Sequence, residues 1–129
     1  MRLIVEARFE GSVDGAAEAE RTVVAVLNRK DASLGDFGCS LAEGRALLAA
    51  VQSVLITRQS EVWLAEHAVC RLCGRALAHK DSGSIVMRTV FGKVALPSPR
   101  YWICRCTAAP GQPRRSESPL AKALPSREG

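Results

Sequence analysis

Two closely spaced pairs of cysteines constrain this chain more than any other feature of its sequence. Cys70 and Cys73 are separated by two residues and followed by Gly74, and the second pair is Cys104 and Cys106. Two thiolates in one tight turn can hold one side of a tetrahedral ion, and the glycine lets backbone N–H groups approach sulfur. Four thiolates suit zinc, which needs no redox chemistry to act structurally. The spacing therefore predicts one zinc ion held by these four cysteines.

Other uses of the cysteines stay open at this point. The second pair has one intervening residue instead of two, and the interval between the pairs is longer than is common in zinc sites. Three cysteines with His79 or His67 are an alternative ligand set, and a C-x-x-C pair can also be a redox centre. The redox use is typical of a thioredoxin-like βαβ context, which the sequence lacks. Four thiolates leave no position for water, so we expect a structural site.

The pattern of the whole chain predicts an α+β fold: an N-terminal β-hairpin, one long α-helix, and then a zinc-ribbon-like β-hairpin. Residues 1–10 and 21–28 are predicted strands because β-branched and apolar residues dominate them. Residues 84–103 form a second predicted β region, with a turn at Phe91-Gly92 and an interruption at 97–99.

The predicted helix begins at a capping box formed by Ser40 and Glu43 and runs to about Val69. Apolar residues at spacings of three and four form one stripe along it: Leu47, Val51, Val54, Val62, Ala65 and Val69. We expect this stripe to lie in the core or to form the seam of a homodimer.

These boundaries predict three parts. Residues 1–69 hold the first strands and the helix, 70–106 the zinc-ribbon-like module, and 107–129 a flexible tail rich in Pro, Ser, Arg and Ala.

The positive charge is concentrated on the cysteine-bearing part. The chain carries a net charge of +5, of which residues 1–69 contribute −3, 70–106 contribute +6 and 107–129 contribute +2. A basic segment favours a phosphate-bearing partner. The residues expected to contact DNA phosphates are Lys80, Arg88, Lys93 and Arg100.

The sequence gives no sign of a membrane segment or of a catalytic centre. Charges at Glu6 and Arg8 interrupt the first apolar residues, and the run 46–56 is broken by polar residues and too short to span a bilayer. We therefore expect a cytoplasmic protein without a membrane partner. There is no Ser-His-Asp set, Gly-rich phosphate loop or convincing carboxylate pair, so the chain is not expected to be an enzyme.

Several segments together carry a family resemblance. They are residues 40–55, Cys70-x-x-Cys73-Gly74, His79-Lys80-Asp81-Ser82, residues 88–94, residues 96–100 and Cys104-x-Cys106. This pattern resembles the N-terminal region of insertion-sequence transposases of the Kra group, a family of bacterial mobile elements. The resemblance implies a zinc- and DNA-binding front end that acts on mobile-element ends.

The resemblance also implies what the chain lacks. In that family the catalytic carboxylates lie in a larger, later region, so we expect a truncated transposase fragment without the catalytic domain. A zinc-stapled interaction or dimerisation module, or an inactive remnant of a mobile element, is the alternative.

Overall fold

The computed structural model describes residues 1–11, 21–30 and 34–124, so the last residues of the predicted tail, 125–129, lie outside it. The chain divides into two compact units, 1–55 and 56–129. The elements, in order, are β1 (Arg2–Arg8), β2 (Arg21–Asn28), a 3-10 turn (Leu34–Asp36), α1 (Leu41–His67), β3 (His79–Thr89), β4 (Gly92–Trp102), β5 (Ser116–Glu117) and α2 (Pro119–Ala123). The prediction of an α+β fold is confirmed.

The first unit is built on the predicted N-terminal hairpin. β1 and β2 pair antiparallel from Arg2 opposite Asn28 to Arg8 opposite Arg21, with a bulge after Val5. Valine, isoleucine and threonine supply half of β2 and two of the seven residues of β1, and they favour the extended backbone.

The start of α1 is fixed by the predicted capping box. The backbone N–H of Glu43 donates to Ser40 Oγ at 3.1 Å, and the backbone N–H of Ser40 donates to Glu43 Oε1 at 3.0 Å. The guanidinium of Arg29 donates to both carboxylate oxygens of Glu43 at 2.8 Å. Glu43 therefore satisfies a helix N-terminal donor and also ties the helix start to the end of β2.

The face of α1 that packs in the core differs from the predicted stripe. Ile56 and Ser60 are the buried residues of the helix, and Trp63 and Leu64 pack on the same core. Val51, Val62 and Val69 of the predicted stripe are exposed. Of the two predicted places for this stripe, core or dimer seam, the core is therefore wrong for these three valines, because apolar residues occur all around the helix and periodicity alone does not select one face.

The apolar stretch of α1 is longer than the run 46–56 that was considered too short to span a bilayer. By length and composition alone, the segment Leu34–His67 contains a stretch long and apolar enough to cross a membrane. A helix covered by protein has the same composition, so this finding identifies an apolar surface and not its environment.

The second unit contains a three-stranded antiparallel sheet in the order β3-β4-β5. β3 and β4 pair along almost their whole length, whereas β5 pairs with β4 only at Tyr101 and Trp102. Both long strands exceed their predicted extents, since β4 continues through Pro97 and Pro99. The prolines are tolerated because this stretch of β4 has a strand on one side only, and an open edge needs no donor.

The core of this unit lies on one face of the sheet. Val94 and Leu96 of β4 are buried with Ile56 and with Leu120 of α2. α2 is held by Ser118, whose hydroxyl accepts from the backbone N–H of Ala121 at 3.3 Å and lies 2.6 Å from Ser98 Oγ. The segment that composition assigns to a tail thus carries a strand, a capped helix and a core residue.

Candidate metal centre

The first pair of cysteines lies in a turn directly after α1. Val69 and Ala76 form a bridge, and the backbone N–H of Cys70 donates to the Arg75 carbonyl at 2.8 Å. Inside this bridge, the backbone N–H of Gly74 donates to the Cys70 carbonyl at 2.8 Å. Gly74 has φ +73°, a left-handed conformation in which a side chain would be strained. The glycine after Cys73 therefore allows the chain to reverse beside the sulfurs.

The second pair lies in a turn at the end of β4. The Cys104 carbonyl accepts from the backbone N–H of Thr107 at 3.0 Å and from its hydroxyl at 2.9 Å. The backbone N–H of Ile103 donates to the Arg115 carbonyl at 2.9 Å, which holds the returning chain beside the turn. The Thr107 hydroxyl therefore stabilises the C-x-C turn, which contains no glycine.

The four sulfur atoms converge to within 4.8 Å of one another. The Cys70 and Cys106 sulfurs are 3.5 Å apart, as are those of Cys73 and Cys104. Sulfurs in a tetrahedron around an ion at about 2.3 Å would lie roughly 3.8 Å apart. A disulfide needs about 2.05 Å, so these are four free thiols arranged as a possible metal site.

The surroundings of Cys70 favour a thiolate. Backbone N–H groups of Cys73 and Leu72 donate to its sulfur and lower the Cys70 pKa to about 6, against the cost of burial. The neighbouring sulfurs of Cys104, Cys70 and Cys73 have the opposite effect on Cys106 and raise its pKa to about 12. The neighbouring sulfurs thus share and compete for their protons, and a bound cation would take the place of those protons.

The two histidines named as alternative ligands have other partners. His67 stacks on Trp63 with ring centroids 3.8 Å apart, and its Nδ1 lies 2.8 Å from the Trp63 carbonyl oxygen. His79 Nε2 lies 2.9 Å from Ser82 Oγ. Across residues 1–11, 21–30 and 34–124, the group of side chains close enough to share one ion consists of the four cysteines.

Two of the four predicted DNA-contacting residues lie near the turn between β3 and β4, and the other two bind neighbouring side chains. Arg88 and Lys93 are exposed and directly opposite each other near the turn between β3 and β4. Arg100 is bound by both oxygens of Asp81, which lowers the pKa of that carboxyl, and its charge is thereby compensated. Lys80 donates to Ser116 Oγ at 3.3 Å and lies 4.8 Å from the centre of the Trp102 ring.

Sequence reasoning did not identify the contacts made by the chain after Cys106. The guanidinium of Arg114 lies 5.0 Å from the centre of the Trp102 ring, so Trp102 interacts with cations from two segments. No local signal indicates this pairing, since it depends on the chain returning beside β4.

Comparison with known proteins gives no match among protein families, curated proteins or solved structures.

Proposed function

We propose that this chain is a zinc- and DNA-binding module of an insertion-sequence transposase, and that it does not itself cut or join DNA. The observation that carries the proposal is the placement of a four-sulfur cluster at one end of a sheet whose other end carries Arg88 opposite Lys93. The family assignment draws on the sequence resemblance. The cluster and the basic pair support the two binding activities.

Zinc is the metal that best fits the four-sulfur cluster. Thiolate ligands select zinc or iron, and zinc in a four-cysteine site needs no redox partner. Four thiolates around a divalent cation leave a net charge of −2, and the turns that carry them also carry the exposed residues Arg71, Arg75 and Arg105. These arginines offset the residual charge, which favours a closed structural site.

Elemental analysis tests the metal directly. Purified protein should contain about one zinc ion per chain. Iron in place of zinc, or protein that keeps its full helical and sheet signal after exhaustive chelation, would overturn the assignment, since metal binding in so small a module supplies much of its folding energy.

Duplex DNA is the partner that best fits the basic pair. Arg88 and Lys93 lie directly opposite each other and are both exposed, so they present two cationic side chains close together to an anionic ligand. The +6 charge of residues 70–106 makes the surrounding field positive as well. Arg100 should contribute less, because Asp81 already binds it.

The salt dependence of duplex binding tests this interface. Each phosphate contact should contribute about −0.9 to the slope of log affinity against log salt, so Arg88→Gln with Lys93→Gln should make the slope shallower by about two. Arg45→Gln is the matched control, because it removes an exposed arginine from α1. If the double variant kept the parent slope with unchanged zinc content, DNA binding through this hairpin would be refuted.

Catalysis and location complete the proposal. We place the protein in the cytoplasm, where closely spaced cysteines bind metal rather than form disulfides. Strand transfer requires carboxylates that hold two ions about 4 Å apart, and the resembling family has that set in another region. Magnesium-dependent nicking of DNA, abolished by mutating one of this chain's own acids, would contradict the non-catalytic assignment.

A second candidate role, self-association, is favoured by an exposed seam on α1. Leu48, Val51, Leu55 and Val62 are all exposed, and their spacing continues the three-four alternation of a coiled coil through Arg58 and Ala65. This seam is distinct from the face that packs in the core. Light scattering should detect a dimer that Val51→Glu with Leu55→Glu converts to a monomer, whereas Ala46→Glu, at an exposed position on the helix face opposite the seam, should not. A monomeric parent would eliminate this role.

A further inference from the structure

The turn between β3 and β4 is a fixed, protruding tip. Thr89 and Gly92 are the last paired residues, so the turn consists of Val90 and Phe91. The Thr89 hydroxyl accepts from the backbone N–H of Phe91 at 3.1 Å and donates to the Gly92 carbonyl at 2.8 Å. Gly92 has φ +126°, which a side chain would rarely adopt. The turn is therefore held in one conformation by its own residues.

The residues at the tip are unusual for their position. Two-residue hairpin turns favour asparagine, aspartate and glycine, whereas this one presents valine and phenylalanine. Val90 is 92 % exposed and Phe91 is 40 % exposed. Val90 thus has little contact with the rest of the fold; an apolar side chain so exposed in a turn breaks a local rule, and such breaks are expected at functional positions.

The charges beside the tip indicate what it meets. Arg88 and Lys93 flank the turn, one on each strand, and oppose each other across the hairpin. An apolar tip next to two cations matches a nucleic acid, in which stacked bases lie beside phosphate chains. Proteins that bend DNA insert apolar side chains between bases in this way.

We propose that Val90 and Phe91 enter and unstack a base step of the duplex whose phosphates Arg88 and Lys93 contact. This inference rests on the proposed DNA binding and adds deformation to it. Insertion should kink the duplex by about 20–90° and should favour pyrimidine–purine steps, which unstack most easily. Specificity would then arise from how readily the DNA deforms.

A bending assay on the full chain tests the inference. The probe is a duplex of about 30 base pairs with one central TA step. It carries energy-transfer dyes at its ends, and a second version carries 2-aminopurine at the central step. Val90→Ser and Phe91→Ser remove the apolar tip without changing charge. Val86→Ser is the matched control, because this valine of β3 is also exposed but lies away from the turn.

The parent and Val86→Ser should shorten the end-to-end distance and raise 2-aminopurine fluorescence. The tip variants should lose both signals and bind about tenfold more weakly, with an unchanged salt slope. Equal bending by the tip variants would overturn the inference while leaving DNA binding intact. A parent that binds no duplex at low salt would overturn both proposals. Tip-dependent binding to phosphatidylserine vesicles, with no tip effect on DNA, would assign the tip to membranes instead.

Discussion

Shortening a core residue outside the metal centre should weaken metal binding. Leu96 is 2 % exposed, lies opposite Ile85 on β3 and packs with Ile56 and Leu120. Leu96→Ala should cost about 3 kcal/mol, in the lower part of the range for such truncations, because the partly buried side chains around so small a core can move in and reduce the cavity. That is a large part of the total stability of a small domain.

The same loss should appear in zinc affinity. If the metal-free second unit is largely unfolded, binding includes the free energy of folding, so about 3 kcal/mol corresponds to a roughly 150-fold weaker apparent affinity. Competition with a chromophoric chelator measures this, and urea unfolding in excess zinc measures stability. Val86→Ala is the control, because its exposed side chain on the opposite face should cost no more than about 0.5 kcal/mol. An unchanged zinc affinity for Leu96→Ala, with a lowered urea midpoint, would refute the coupling.

Three further perturbations address the cysteines and the start of α1. Cys73→Ser should abolish stoichiometric zinc binding in elemental analysis, whereas Cys39→Ser, which alters an exposed thiol outside the cluster, should leave one ion per chain. Equal zinc content in the two variants would contradict the assignment. Ser40→Ala should cost about 1 kcal/mol in thermal unfolding followed by circular dichroism, because it removes the acceptor for the Glu43 N–H, and an unchanged midpoint would show that the cap is not formed. The backbone N–H of Ser40 and the guanidinium of Arg29 hold the Glu43 pKa below its ordinary value. The stability that this carboxylate contributes is therefore fully present when the pH is above the ordinary pKa of glutamate, and it is lost as the pH falls through the lowered pKa. Arg29→Met should raise the Glu43 pKa in a carbon-13 NMR titration but leave it below the ordinary value, since the Ser40 N–H still donates; no change would contradict the contact.

Local signals predicted the parts of this fold that depend on neighbouring residues. Ser40 and Glu43 determine the helix start through bonds within four residues of the chain, and both observed bonds follow from their spacing. The two hairpins follow from β-branched runs separated by turns. The convergence of Cys70 and Cys73 with Cys104 and Cys106 also follows, because a hairpin between two cysteine turns brings its ends together.

Features that depend on distant partners were not predictable in this way. Pro97 and Pro99 suggested a break in the strand, but the pairing of β5 only at Tyr101 and Trp102 leaves that part of β4 with an open edge. The choice between faces of α1 was decided by where Ile56 meets Val94 and Leu96. Composition gave no reason to place Leu120 in a core, since a short apolar segment between polar ones becomes ordered only when a surface is available.

The long pairing of β3 with β4 links the turn at one end of the hairpin to the cysteines at the other. Eleven residues of strand span about 36 Å, and the alternation of side chains across them has a period of two. Slippage by one residue would turn Leu96 and Val94 out of the core and shift Cys104 relative to Cys70. Thr89 and Gly92 thus fix the pairing register of the two strands, and this register determines where Cys104 lies relative to Cys70. A change in the turn that shifts this register should therefore disturb the metal centre, although no turn residue is one of its four cysteines.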